Sequence, residues 1–125
     1  MLKPLVIGNR VWRVVRVSPG DPLLIDRTGT PRLATTDPST MTIRISTEVP
    51  LSMFDQVYLH EAAHAAMDGT ELMESLSRIP YQWQQIVMEE LLAWFLETNA
   101  IQVIDAVSSS LGRPVCVDGL CIRRQ

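Results

Sequence analysis

Tyr58-Leu59-His60-Glu61-Ala62-Ala63-His64-Ala65-Ala66 is the stretch on which the reading of this chain turns. The sequence holds two histidines in all, and both lie here, four residues apart with a glutamate directly after the first. On a helix that spacing puts both imidazoles on one face, one turn apart, where they can grip a single metal ion. The alanines at 62, 63, 65 and 66 favour helix and let neighbouring elements approach closely, as a buried packing helix would also require. The helix is expected from about Met53 to Met67 or Asp68. Ser52 serves as N-cap, Asp55 as a shortened capping box and Gly69 as the C-terminal stop.

The segments before it read as strands. Residues 5 to 17 alternate polar and apolar groups around Gly8-Asn9, and Val11 to Val17 is rich in β-branched residues, which predicts a strand or small hairpin. Ser18-Pro19-Gly20-Asp21-Pro22 ends it. Leu23 to Asp26 and Pro31 to Ala34 flank Arg27-Thr28-Gly29-Thr30 as a second hairpin, with the proline placing its strand at an edge. Thr36-Asp37-Pro38-Ser39 reads as a breaker, and Met41 to Thr47 as a period-two strand with Ile43 and Ile45 on one face. Chain order suggests that Thr42 to Ser46 lies at the sheet edge above the histidine helix, open to an extended peptide by strand addition.

Downstream, Thr70 to Ser77 is expected to form a short helix or helical turn. From Tyr81 to about Ser108 a longer helix carries an apolar stripe of Ile86, Val87, Leu91, Trp94, Phe95, Ile101 and Ile104, with Asn99 as a point of kinking or division. Gly112 and Pro114 close the helical part. Asp118-Gly119 between apolar residues then signals a two-residue hairpin that sets Cys116 opposite Cys121. A disulfide is geometrically conceivable there, but two free thiols are expected in a reducing cytoplasm.

With 125 residues, 46% hydrophobic and 20% charged, the chain is expected to form a single domain over residues 1–125. The fold class is α+β: a small N-terminal antiparallel sheet, a helical core and a C-terminal hairpin. Net charge is −3, and from Met53 to Asp105 nine acids meet one base, Arg78. That acidic middle suits a cation-binding region or a solvated helical face, and it gives no reason to expect nucleic-acid binding. Neither a secretory leader nor a run of roughly 18 apolar residues is legible, so the expectation is a cytoplasmic protein without a membrane span.

His-Glu-x-x-His on a helix is the pattern in which two histidines hold zinc and the glutamate acts as general base, here Glu61. A catalytic zinc needs a third protein ligand and one open position. With no third histidine in the chain, that ligand must be a carboxylate or thiolate, and Glu89, Glu90 and Glu97 all fall on the next long helix. Glu90 is favoured because its face also carries Ala93, a small residue one turn on, with Glu89 as the alternative. Glu97 suits a hydrogen bond to a liganding imidazole. Tyr58 and Tyr81 are candidates to stabilise an oxyanion, although either is equally well placed as a packing residue.

The strand Thr42 to Ser46, the helix with His60-Glu61-Ala62-Ala63-His64, and Glu90-Leu91-Leu92-Ala93-Trp94-Phe95 together resemble the gluzincins. Among these they look like the small ImmA/IrrE-like metallopeptidases common in phages and mobile elements. The resemblance covers roughly residues 40 to 97, and it fits Glu90 better than Glu89, since the family shows a glutamate followed three residues later by alanine and then an aromatic. Trp94 stands where the family often has asparagine. What the resemblance implies is a zincin-like core in which His60, His64 and Glu90 bind Zn2+ and Glu61 activates a zinc-bound water against a peptide or protein substrate, such as a regulatory protein. A zinc-stabilised binding module with Cys116 or Cys121 as a fourth ligand, and a latent peptidase covered by its own termini, are the alternatives. Oligomeric state is not legible.

Overall fold

Gly8 takes φ 62° at the first central position of the turn Ile7-Gly8-Asn9-Arg10, a conformation that costs glycine little and that matches the twist of a two-residue hairpin. The turn joins β1 (Leu5–Ile7) to β2 (Arg10–Val17), antiparallel with Leu5 opposite Trp12. The computed structural model describes residues 2–25, 29–68 and 99–122. Within these, β3 (Ala34–Asp37) and β4 (Thr42–Ser46) complete a four-stranded sheet in the order β1-β2-β4-β3.

That sheet is mixed, a correction to the expected antiparallel one. β4 runs parallel to β2, with Val14 beside Ile43, and antiparallel to β3, with Ala34 beside Ile45 and Thr36 beside Ile43. The chain leaves β2, passes a 3-10 turn at Pro22–Leu24, reaches the outer edge as β3 and folds back between the two. Of the second hairpin only a single bridge, Ile25 to Pro31, is formed among the described residues. Thr36 and Asp37, read as a breaker, are the end of β3. Asp37 makes this possible by accepting from the Ser39 hydroxyl, the Thr40 hydroxyl and Arg44, which together tie the 37–41 turn to the next strand and draw its carboxyl down to about 2.

Partners across the sheet put Leu5, Trp12, Val14, Ala34, Ile43 and Ile45 on one face, and α1 (Leu51–Met67) packs against it. The helix begins two residues earlier than Ser52 would set it: Pro50 is the N-cap, with fixed φ and no side-chain bond, and Met53 N–H donates to its carbonyl. Phe54, Tyr58, Ala62 and Ala65 face inward at i, i+4, i+8 and i+11. Arg16 stacks over the Phe54 ring at 4.8 Å.

Residues 99–111 are helical (α2) and run three residues past the expected end at Ser108. Gly112 at φ 74° ends it, and the Arg113 N–H closes on Ser108 O as in a Schellman motif. Its inward stripe is Val103, Ala106, Val107 and Ser110, whereas Ile101, expected in the stripe, is 72% exposed. Asn99 is helical, Ile104 is half-buried, and the stripe residues from Ile86 to Phe95 lie outside the described residues. So do the 70–77 segment and Gly69. No described helix is long and apolar enough to cross a membrane.

The terminal hairpin, β5 (Val115–Val117) and β6 (Leu120–Ile122), forms as read, with Asp118 and Gly119 both at positive φ. Cys116 and Cys121 are disulfide-bonded and not the free thiols expected, because the two-residue turn sets them directly opposite with Cα atoms 3.9 Å apart. The hairpin docks on α1 through Asp55, which is 4% exposed and does not cap its helix. Its carboxylate takes two bonds from Arg113, at 2.6 and 2.7 Å, and a third from Cys116 N–H at 2.8 Å. The Arg113 bond, ahead of all else, holds the Asp55 carboxyl below its ordinary 3.8.

This cluster sets an acid limit on stability. A carboxyl depressed in the fold contributes fully above its unfolded value, near 3.8, and loses that contribution as pH falls through the lower folded value. Arg113 is half-exposed, so water screens the charge attraction and the buried hydrogen bonds set the cost of losing the pair. Asp55→Asn is expected to lose about 1–3 kcal/mol at pH 7 in urea denaturation, and to lose part of the parent's decline in stability below pH 3.8.

Candidate metal and base site

Helix α1 buries one stripe and leaves another outward, and the motif straddles the boundary. His60 and His64 are exposed, one turn apart, while Glu61, 100° round the helix, is 7% exposed. The two imidazole Nε2 atoms converge to 3.2 Å, with ring centroids 4.9 Å apart and planes at 71°. Two bare lone pairs do not face each other at that distance. Either one nitrogen carries a proton donated to the other, or both face a cation.

The spacing bears on which metal suits the pair. Nitrogen ligands about 2.0–2.1 Å from a zinc ion at a tetrahedral angle lie roughly 3.3–3.4 Å apart. The separation between the two nitrogens is within about 0.2 Å of that value. Imidazole is also a ligand that zinc accepts readily. Two of the expected ligands are thus brought together. Glu90, with Glu89, Glu97 and Tyr81, lies outside the described residues, and among the described residues no group of three or more metal-binding side chains forms.

Glu61 faces the sheet at its edge. The Thr36 hydroxyl, on β3, lies 2.6 Å from Glu61 Oε2 and 3.1 Å from the Glu61 carbonyl oxygen. Thr36 shares the inner face of β3 with buried Ala34, which is why its side chain meets the helix. Sequence reading passed over Thr36, because a threonine before Asp-Pro-Ser looked like part of a turn. Two β-branched residues in a row, Thr35 and Thr36, were the signal that a short strand was present.

The strand at the edge is β3 and not Thr42 to Ser46. β4 is paired on both sides, which removes the expected edge role from it, and Thr42, Ile43, Ile45 and Ser46 are all buried accordingly. Ser46 N–H donates to Leu33 O, so the alternation of an antiparallel ladder turns the backbone groups of Ala34 and Thr36 away from β4. Beside the strand, the Thr35 hydroxyl donates to Leu23 O.

Tyr58 is no oxyanion partner. It is fully buried, its hydroxyl lies 2.6 Å from Ser110 Oγ, which in turn donates to Lys3 O, and burial pushes it up to about 12. Cys116 and Cys121 hold each other, which leaves no thiolate to close a four-ligand site in this state.

Comparison with protein-family models, curated proteins and solved structures found no match to this chain. Tyr58→Phe separates packing from chemistry: it is expected to cost about 0.5–1.5 kcal/mol in denaturation and to leave zinc affinity at the parent value.

Proposed function

We propose that this chain is a zinc-dependent peptide hydrolase of the gluzincin kind, resembling the ImmA/IrrE-like metallopeptidases, with Glu61 as general base. The observation that carries the reading is the convergence of His60 and His64 Nε2 at 3.2 Å, with the carboxylate of Glu61, between them in sequence, held by the edge strand. His60, His64 and, by the resemblance, Glu90 would hold the metal. Zinc bound there supplies a Lewis acid that polarises a scissile carbonyl and lowers the pKa of its water toward about 7.

The remaining work falls to the chain. Glu61 takes a proton on its carboxylate and returns it to the leaving amine, a role that suits a carboxylate paired with no cation among the described residues. The outward backbone groups of Ala34 and Thr36 on β3 are the natural place for an extended peptide to pair beside the helix. A peptide or protein is thus the substrate class, with no nucleic acid or membrane partner. We place the protein in the cytoplasm, where reducing conditions would keep Cys116 and Cys121 as a dithiol across the hairpin. A structural zinc closed by cysteine fits less well, because Cys116 is docked at Asp55, more than one helical turn before His60.

Three proteins test this: the parent, Glu61→Gln and Glu90→Ala, each assayed for bound zinc and for cleavage of an internally quenched random-hexapeptide library. Glu61→Gln is expected to keep zinc and lose cleavage by about 100-fold or more. Glu90→Ala is expected to bind zinc at least about 10-fold more weakly. Unchanged turnover by Glu61→Gln would refute the mechanism, and full zinc retention by Glu90→Ala would move the third ligand elsewhere.

A further inference from the structure

Two carboxylates are buried on α1, and they are partnered in opposite ways. Asp55 is neutralised by a bidentate guanidinium and a backbone N–H. Glu61 is buried almost as deeply, yet its carboxylate receives one hydrogen bond among the described residues, from the neutral hydroxyl of Thr36 at 2.6 Å. A carboxylate removed from water needs a donor, and a cation would be the stronger one. A hydroxyl fixes orientation without adding a charge.

We infer that Thr36 is the positioning residue for Glu61: its hydroxyl holds Oε2 against the edge strand and so fixes the orientation of the carboxylate. Two features of the contact fit this role. The hydroxyl has one proton and lies within reach of both the carboxylate and the carbonyl oxygen of the same residue, so it ties side chain and helix backbone to one point on β3. The strand that supplies it is also the edge strand, one residue of which therefore has its side chain on the base and its backbone turned outward. A peptide pairing with that backbone would be placed in register with the base by a single residue.

The inference rests on the peptidase reading, and the test separates the two. Apparent kcat and KM on the quenched hexapeptide library are measured for the zinc-loaded parent, Thr36→Val, Thr36→Ser and Glu61→Gln, each below its own melting temperature and with bound zinc quantified. Thr36→Val keeps the shape and removes the hydroxyl. It is expected to lower kcat by about 10–100-fold with KM and zinc affinity near the parent values, and Thr36→Ser to restore kcat to within about threefold. A parent-like kcat for Thr36→Val, or an equal loss in Thr36→Ser, overturns the inference while leaving the peptidase reading intact if Glu61→Gln is inactive. A parent that cleaves nothing, or Glu61→Gln as active as the parent, overturns both. In metal-free protein a double-mutant cycle of Thr36→Val with Glu61→Ala reads the contact without any activity. The denaturation midpoint of the pair is expected to fall by less than the sum of the single shifts, and strict additivity counts against the contact.

Discussion

Helix α1 can bury only one stripe, and the stripe it buries decides where every group of interest points. Phe54, Tyr58, Ala62 and Ala65 are drawn into the space between the sheet and α2 because that is where their apolar surface leaves water, each large side chain contributing on the order of 2 kcal/mol. Once that stripe is set, the geometry of a helix has no freedom left for His60 and His64. They stand on the outward side, together, with their Nε2 atoms converging. Glu61 falls on the border, its backbone in the core and its carboxylate at the sheet edge.

Support for that helix comes from both ends of the chain. The Tyr58 hydroxyl, Ser110 and the Lys3 carbonyl form a short buried relay that joins α1, α2 and the N-terminal segment. Arg10 reaches the carboxylate and carbonyl of Asp68 at the C-terminal end of the helix, and Asp55, near its N-terminal end, holds the terminal hairpin. These bonds satisfy polar groups that burial would otherwise leave costly, and they fix the helix axially as packing fixes it laterally. A site of two imidazoles and a carboxylate needs that rigidity, since an error of an ångström separates ligands from non-ligands.

Local chemistry was the legible part of the sequence. Gly8-Asn9, Asp118-Gly119 and Gly112 each needed a backbone conformation that these residues supply cheaply, and each turn stands where it was read. The pairing of His60 with His64 likewise followed from helical period alone. What could not be read was set by distant partners. Thr36-Asp37 has the composition of a turn, and only its pairing with β4 makes it a strand. Ile101 is apolar and helical but faces outward, because Val103 and Val107 won the inward side. The parallel partnership of β2 with β4 depends on a crossover that no local pattern records, and Asp55 was read as a cap although its true partners, Arg113 and Cys116, lie far along the chain. The role of Thr36 belongs to the same class.

The central claim is that His60 and His64 are two ligands of one catalytic zinc whose remaining protein ligand is a carboxylate. X-ray absorption at the zinc edge on the zinc-loaded protein reads this directly. The account predicts one zinc per chain, a nitrogen and oxygen shell at about 2.0–2.1 Å with outer-shell scattering from two imidazoles, and no sulfur. A sulfur shell at about 2.3 Å, or scattering from fewer than two imidazoles, would contradict it.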